Sequence, residues 1–289
     1  MTDYRDELQD FQSDQITLLG VTREVFRLGE GPCIIIIPEI PGITPEHAEL
    51  ARRVASHGYT TVTPSVFGTP GKPMTNSYAA SSLIKGCISK EFAAFATGST
   101  RPITLWLRAL AESEHDKCGG PGVGVIGMCF TGGFGLAMML SDSVIAPVMS
   151  QPSLPLPIGA ARRSDIGLTP EDLERIQIKT AAGACIMGLR FTEDRAVPAE
   201  RFASLREALG DAFISIEIDS SAGNEHGIKK SSHSVLTHDF VDHPEHPTKD
   251  AFSSVLEFFA ARLRTTRTSG RCGGYLVPPQ HSQVTRVSP

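Results

Sequence analysis

The chain has 289 residues, of which 40% are hydrophobic and 20% are charged, and its net charge is -5. This composition is ordinary for a soluble globular enzyme, and the slightly acidic balance gives no support for a nucleic-acid or membrane partner. No apolar stretch approaches the roughly 18 residues of a spanning helix, and the acidic N-terminus does not resemble a secretory signal. The six scattered cysteines form no CxxC pair, so we expect free thiols, a reducing compartment and a cytoplasmic protein.

Strands and helices are predicted to alternate along the chain. A hairpin over 15–29 is broken at Gly20, and the aliphatic run Cys33–Pro38 is typical of a central parallel strand that is buried on both faces. The helix predicted over Glu46–His57 has Thr44 as its N-cap. The other predicted strands are at Thr60–Pro64, Val123–Ile126, 143–150, 184–190 and 213–219, and the other predicted helices are at 78–96, 102–114, Thr131–Leu140, Pro198–Leu209 and Thr248–Arg264. This alternation predicts an α/β protein with a doubly wound, mostly parallel sheet and helices on both faces.

Two segments do not fit the alternation. Residues 151–180 are proline-rich and then helical, and we interpret them as an insertion or a lid. Residues 265–289 contain three arginines and no acidic group, and we expect them to form a flexible tail after a single domain over 1–264.

Two patterns could suggest a bound cofactor or metal ion. Residues 122–127 spell GxGxxG, but a dinucleotide fingerprint must follow a strand, and here its own valines and isoleucine form the strand. The tract 237–249 clusters three histidines with three acidic residues, yet it has no recognised metal-ligand spacing and is better explained as a solvated loop. We therefore predict no cofactor and no metal.

The fifth predicted strand, Val123–Ile126, is followed by a tight turn and then by a predicted helix, and Cys129 lies on the turn. In a nucleophile elbow the reactive residue sits on such a strained turn, with its side chain exposed above the sheet. The following helix directs its positive end toward the sulfur, and the Phe130 amide is placed to bind an oxyanion. Cys129 is therefore a candidate nucleophile, whereas the other five cysteines are interpreted as structural.

The sequence Gly-Met-Cys-Phe-Thr-Gly-Gly around Cys129 resembles the elbow of the dienelactone hydrolase family, in which cysteine replaces the usual serine of the α/β-hydrolase fold. Further anchors of the resemblance appear in the family's order, over about residues 20–264. They are Pro38–Gly42 (PEIPG), His57–Tyr59 (HGY), Asp194–Pro198 (DRAVP) and Gly223–Ile228 (GNEHGI). The resemblance implies an α/β-hydrolase fold and a Cys-His-Asp triad acting on dienelactones, which are intermediates of aromatic catabolism.

Three positions depart from the family pattern. Thr131 stands where a glycine is usual, and Ile228 replaces an aromatic residue. The family clamps the substrate carboxylate with arginines, one of them four residues after the histidine, where this chain has Lys230. Its position makes Lys230 a candidate substrate-binding residue. Because lysine is a weaker match than arginine for a planar carboxylate, the substrate is left undefined.

The remaining site residues follow from strand ends and from the resemblance. Asp194 comes after a predicted strand, and the order Cys–Asp–His matches the nucleophile–acid–histidine order of α/β-hydrolases. His226 and His233 both lie after the last predicted strand, and we favour His226 because its surroundings fit the family motif better. By resemblance, Glu39 lies beside the cysteine and influences its protonation, and the Ile40 amide is the second oxyanion donor.

These residues predict a hydrolase that forms a thioester with Cys129 and then cleaves it with water. A thiolate leaves a tetrahedral intermediate more easily than a simple alkoxide, so the expected substrates are enol lactones and activated esters. The alternatives are a catalytically inactive fold that binds a small molecule or a partner, and a redox-sensing thiol at Cys129, which lacks a nearby resolving cysteine. The sequence does not define an oligomeric state.

Overall fold

In the computed structural model, residues 4–264 and 284–285 are described, and the predicted flexible tail otherwise lies outside the described residues. The strands are β1 (Gln12–Leu18), β2 (Val21–Leu28), β3 (Cys33–Ile37), β4 (Thr60–Pro64), β5 (Val123–Met128), β6 (Val144–Ser150), β7 (Ile186–Phe191), β8 (Phe213–Ile218) and β9 (Val284–Thr285). They form one sheet in the order β1-β2-β4-β3-β5-β6-β7-β8-β9. Strands β4, β3, β5, β6, β7 and β8 are parallel, while the β1–β2 hairpin and β9 add antiparallel edges.

The helices cover both faces of the sheet. They are α1 (Pro45–Ser56), α2 (Asn76–Ile88), α3 (Ile103–Cys118), α4 (Phe134–Met138), α5 (Ala160–Ser164), α6 (Pro170–Ala181), α7 (Ala199–Leu209) and α8 (Pro247–Leu263). Helices α1 and α8 pack against one set of strand side chains, and α3, α4, α6 and α7 pack against the opposite set. The prediction of a doubly wound, mostly parallel α/β sheet is confirmed.

The strongest sequence signals produce the predicted elements. Strand β3 is buried at every position and lies between β4 and β5, as its unbroken aliphatic run indicates. Helix α1 begins at Pro45, and the Thr44 side chain accepts a hydrogen bond from the His47 amide, as the capping pattern predicts.

Two predicted helices are shorter than expected. Helix α2 ends at Ile88 instead of continuing to 96, because the chain turns so that Phe92 and Ala94 enter the core. Helix α4 begins at Phe134, after a short 3-10 turn over Cys129–Thr131. In both places tertiary packing overrides the local preference for helix.

The GxGxxG pattern has a packing explanation. A Cβ atom at Gly124 would lie 2.9 Å from the Phe259 ring, so this glycine lets α8 pack closely on β5. Gly122 precedes the strand and Gly127 lies near its end. These glycines serve the strand and the turn that follows it.

The segment after β6 is attached to the body of the protein by Arg201 of α7. This arginine is 1% exposed and donates hydrogen bonds to four backbone carbonyls, those of Pro152, Pro155, Arg162 and Asp165. Burial lowers the pKa of Arg201 to about 10, so the guanidinium remains charged at neutral pH. The assignment of 151–180 as an insertion or a lid stays a prediction.

Two further expectations concern the whole chain. Among the described helices, none combines the length and apolar character needed to span a bilayer. Cys33, Cys87, Cys118 and Cys129 are free, but Cys185 is disulfide-bonded, so the expectation of free thiols is wrong for Cys185. The cytoplasmic location therefore stays a prediction.

Candidate active site

Cys129 lies on a strained turn at the end of β5. Its φ is +51°, a left-handed conformation that is uncommon for a residue with a side chain. The turn needs glycine on either side, because a Cβ at Gly127 would lie 2.4 Å from the Thr131 carbonyl oxygen and one at Gly132 would lie 2.5 Å from Pro152 Cα. Such strain is typical of the nucleophile elbow.

Thr131, the departure from the family pattern, ties this turn to the neighbouring strand. Its hydroxyl accepts a hydrogen bond from the Met128 amide at 3.0 Å and lies 3.1 Å from the Ile37 carbonyl and 3.2 Å from the Pro38 carbonyl. The side chain is fully buried. Thr131 therefore fixes the elbow to the end of β3, where Glu39 and Ile40 follow.

Replacing Thr131 by valine is expected to lower the free energy of unfolding by about 1–3 kcal/mol, because the Met128 amide loses its buried acceptor while the shape is kept. Denaturant unfolding measures this difference. Thr131→Ser is the matched control, since it retains the hydroxyl, and it should unfold closer to the wild type than Thr131→Val does. Equal stability of wild type and Thr131→Val would contradict the tethering role.

The structure brings His233, and not His226, to Asp194 and Cys129. The His233 Nδ1 atom lies 2.6 Å from Asp194 Oδ2, and the His233 ring, the Cys129 sulfur and a Glu39 carboxylate oxygen offer atoms that all lie within 4.8 Å of one another. His226 instead lies in a small depression with Asp219 and Pro247. The expected position of His226 beside Asp194 is therefore wrong, and His233 occupies that position.

Local hydrogen bonds explain this difference between the two histidines. The Asn224 side chain accepts from the Ile228 amide and donates to the Ser221 and Ile228 carbonyls, which folds the segment around His226 into its own turn. Asp239 Oδ2 accepts from the amides of His233 and Ser234, which holds the later loop against the site.

The new register removes the argument for Lys230. That argument counted four residues from His226, whereas four residues after His233 is Thr237, which binds Glu39. Lys230 is exposed on the loop between β8 and α8. Its role in substrate binding stays a prediction without the register that motivated it.

Glu39 is buried beside the sulfur and held by polar side chains. Its carboxylate accepts hydrogen bonds from the Ser234 hydroxyl at 2.8 Å, from the Thr237 hydroxyl, and from the Gln151 amide group at 3.4 Å. Its exposed fraction is 3%. A buried carboxylate with three donors is held in one orientation, so its distance from Cys129 is fixed.

The protonation of His233 depends on its neighbours. Burial lowers the pKa of His233, but the Cys129 sulfur and the hydrogen bond to Asp194 outweigh this effect and raise the pKa well above 6.5. His233 therefore favours the imidazolium form near neutral pH. A raised pKa in the folded state stabilises the fold at low pH, and this contribution is lost as the pH rises through that pKa.

The two predicted oxyanion donors follow adjacent parallel strands. Phe130 comes two residues after the end of β5 and Ile40 three residues after the end of β3, and Ile37 pairs with Gly127 across these strands. Both amides therefore lie at the carboxyl ends of the parallel strands, where Cys129 also lies. Their role stays a prediction.

Several residues that touch the site were not predicted from the sequence. Ser153 donates its amide to the Cys129 carbonyl at 2.9 Å, and its hydroxyl lies 3.6 Å from the Cys129 sulfur. Gln151, which follows β6 with a φ of +38°, reaches Glu39. A polar residue directly after a predicted parallel strand was the available signal for Gln151, but the proline-rich context suggested a lid instead.

In the described part of the chain, two groups offer three metal-ligating atoms within 4.8 Å of one another. One is the Glu39, Cys129 and His233 group, in which the carboxylate already has three donors and His233 Nδ1 is taken by Asp194. The other comprises Cys33, Glu114 and Cys118, far along the strands from Cys129. The first group is occupied with its own hydrogen bonds, which fits an acid–base role better than metal binding.

Comparisons with known proteins identify the family and the fold of the chain. The sequence profile of the dienelactone hydrolase family matches residues 25–263. Among solved structures, a candidate dienelactone hydrolase of Klebsiella pneumoniae superimposes with a TM-score of 0.59 and 18% identity, covering 86% of this chain and 98% of that one. A dienelactone hydrolase of Anabaena variabilis superimposes with a TM-score of 0.55 and 15% identity, covering 89% of this chain and 100% of that one. A dienelactone hydrolase-like promiscuous phosphotriesterase from metagenomic libraries has a TM-score of 0.54 and 16% identity, and the match covers 88% of this chain and 98% of that one. The search of curated protein sequences found no match.

The sheet, the helices on its two faces and the elbow after β5 define an α/β-hydrolase fold. Within that fold, the match over most of its length shows that the chain belongs to the dienelactone hydrolase family. The predicted family and fold are thereby confirmed.

Proposed function

We propose that the protein hydrolyses activated esters or enol lactones through a covalent thioester on Cys129, with His233 and Asp194 completing the triad. The observation that carries this proposal is the grouping of Cys129, His233 and Glu39 within 4.8 Å, with Asp194 at 2.6 Å from His233 Nδ1. Nucleophile, base and orienting acid within contact of one another are the requirement for nucleophilic acyl transfer.

Each residue has a defined task in this reaction. The Cys129 thiolate attacks the substrate carbonyl, and the amides of Phe130 and Ile40 bind the oxyanion. His233 gives its proton to the leaving oxygen and later takes one from the water that cleaves the thioester. Asp194 fixes the ring through Nδ1, and Glu39 influences the protonation of the sulfur from its fixed position.

The surroundings favour a substrate with an apolar portion. Cys129 and Ile40 pack against the hydrophobic cluster that contains Phe67, Phe92 and Phe130, whose rings meet edge to face. The clamp arginine that the family places four residues after the histidine is replaced by Thr237 when His233 is taken as that histidine. We therefore expect uncharged activated esters to be turned over at least as well as carboxylate-bearing lactones.

Turnover and trapping test this proposal together. The wild type is mixed with a 4-nitrophenyl ester or a dienelactone, quenched in acid during turnover, and digested with pepsin for mass spectrometry. We expect hydrolysis of at least one substrate and an acyl group on the peptide that contains Cys129. Hydrolysis with no acyl group on Cys129 under single-turnover conditions would contradict the covalent route, and no turnover of any substrate would favour a binding role.

A further inference from the structure

Cys33 and Cys118 meet at the end of the sheet opposite to the active site. Cys33 is the first residue of β3 and Cys118 is the last residue of α3, and their sulfur atoms lie within 4.8 Å of each other. They are 85 positions apart in the sequence, both are free thiols, and the proposed hydrolysis uses neither of them.

We propose that Cys33 and Cys118 form a redox-active dithiol that hydrogen peroxide converts into an intramolecular disulfide. Cys118 is the partly exposed member, and it is followed by the exposed glycines Gly119 and Gly120, whose surroundings are open. Cys33 is fully buried directly beneath it. An oxidant therefore reaches Cys118 first, and Cys33 is placed to resolve the oxidised sulfur.

The charged groups around the pair favour thiol chemistry over metal binding. Glu114 faces both sulfurs, but Arg27 donates to both of its carboxylate oxygens and Lys117 adds a bond of 2.9 Å. A carboxylate that is already paired with two cations is a poor ligand for a further cation. Arg27 at the same time offers positive charge near Cys118, which stabilises a thiolate there.

Hydrogen bonds separate the two thiols by reactivity. The Cys33 thiol and the Thr60 hydroxyl stabilise the Cys118 thiolate, and against the opposing effect of burial they lower the pKa of Cys118 to about 6. The same hydrogen bond, together with burial, raises the pKa of Cys33 well above 9.0. The Cys118 thiol therefore ionises more readily than the Cys33 thiol, as in a nucleophilic and resolving pair.

The oxidation proceeds in two balanced steps. The Cys118 thiolate attacks one peroxide oxygen, the O–O bond breaks, and hydroxide leaves as a sulfenic acid forms. The Cys33 sulfur then attacks the sulfenic sulfur, the S–S bond forms, the S–O bond breaks, and the hydroxyl group leaves with the Cys33 proton as water. Overall, two thiols lose two electrons to one peroxide, which becomes two waters.

Peptide mapping of the full chain tests this proposal in a Cys129→Ala background. The substitution is needed because Cys118 and Cys129 share one tryptic peptide, 118–162, whereas Cys33 lies in 28–52. The protein is first reduced so that Cys33 and Cys118 are free thiols, and it is then treated with a small excess of hydrogen peroxide. The remaining thiols are alkylated, and the protein is digested without reductant. We expect the two peptides to be joined by a disulfide, with a mass two hydrogens below the sum of their masses. The melting temperature of the oxidised protein should be several degrees higher than that of the reduced protein.

Further variants make the result decisive. In the same background, Cys118→Ser should abolish the joined peptide, and Cys33→Ala should leave a Cys118 sulfenic acid that dimedone traps. Cys87→Ser, which removes another partly buried free thiol, should leave the joining unchanged. Cys118 should also react with iodoacetamide at neutral pH roughly tenfold faster than Cys87, whose pKa is raised by burial. Oxidation of Cys118 to sulfinic acid while Cys33 remains alkylatable would overturn the proposal.

Discussion

Substitution of His233 by alanine is expected to lower kcat/KM for an activated ester by roughly a thousandfold or more, because the proton donor and acceptor beside Cys129 is lost. The His233 ring contacts Asp194 at 2.6 Å and lies beside the sulfur. Steady-state hydrolysis of a 4-nitrophenyl ester measures the effect. Added imidazole should restore part of the activity, since the cavity left by the ring is next to the sulfur.

His226→Ala is the matched control for this experiment. His226 is partly buried in the same connection between β8 and α8, but it lies beside Asp219 and His246 and away from Asp194. Its removal should change kcat/KM by no more than about twofold. A larger loss for His226→Ala than for His233→Ala would return the triad histidine to His226.

Cys129→Ala is expected to abolish hydrolysis, with a loss on the order of ten-thousandfold or more, because no nucleophile remains on the elbow. The same variant should show a lower pKa for His233, since the charge of the Cys129 sulfur is the largest influence that raises it. Activity assays measure the first effect, and NMR titration of the His233 ring measures the second.

The His233 pKa tests the contact between the sulfur and the ring separately from the loss of activity. Cys87→Ala, which removes a different free thiol, should keep both the activity and the His233 pKa of the wild type. An active Cys129→Ala protein would exclude the nucleophile assignment. An inactive one with an unchanged His233 pKa would show that the sulfur and the ring do not interact as the geometry indicates.

The sequence predicted those parts of the fold that depend on local patterns. The aliphatic run of β3 and the capping of α1 by Thr44 are short-range signals, and both elements form as predicted. The early end of α2 depends on Phe92 packing against the rings of Phe130 and Phe134, which lie about 40 residues further along the chain and which no local pattern contains.

The site shows the same division. Cys129, Glu39 and Asp194 lie where strand ends and the family resemblance suggested, because parallel strands bring their carboxyl ends to one edge. The choice between His226 and His233 depends on which turn each loop forms, and those turns are set by Asn224 and Asp239 side chains. The motif around His226 carried no information about that competition.

The environment of Thr131 illustrates a different limit. Thr131 stands at a position where the family usually has glycine. The structure shows a hydroxyl that satisfies the Met128 amide and lies against the β3 carbonyls. Its value depends on a neighbouring strand more than 90 residues away in sequence, as the separation of 94 from Ile37 shows.

The buried guanidinium of Arg201 has a consequence for the segment that borders the active site. Its four carbonyl acceptors span Pro152–Asp165, and swinging this stretch away would strand a charge without partners in an apolar interior. The same stretch begins next to Ser153, which borders the reactive sulfur. Arg201 therefore holds Pro152–Asp165 against α7, next to the side of the site where Ser153 lies.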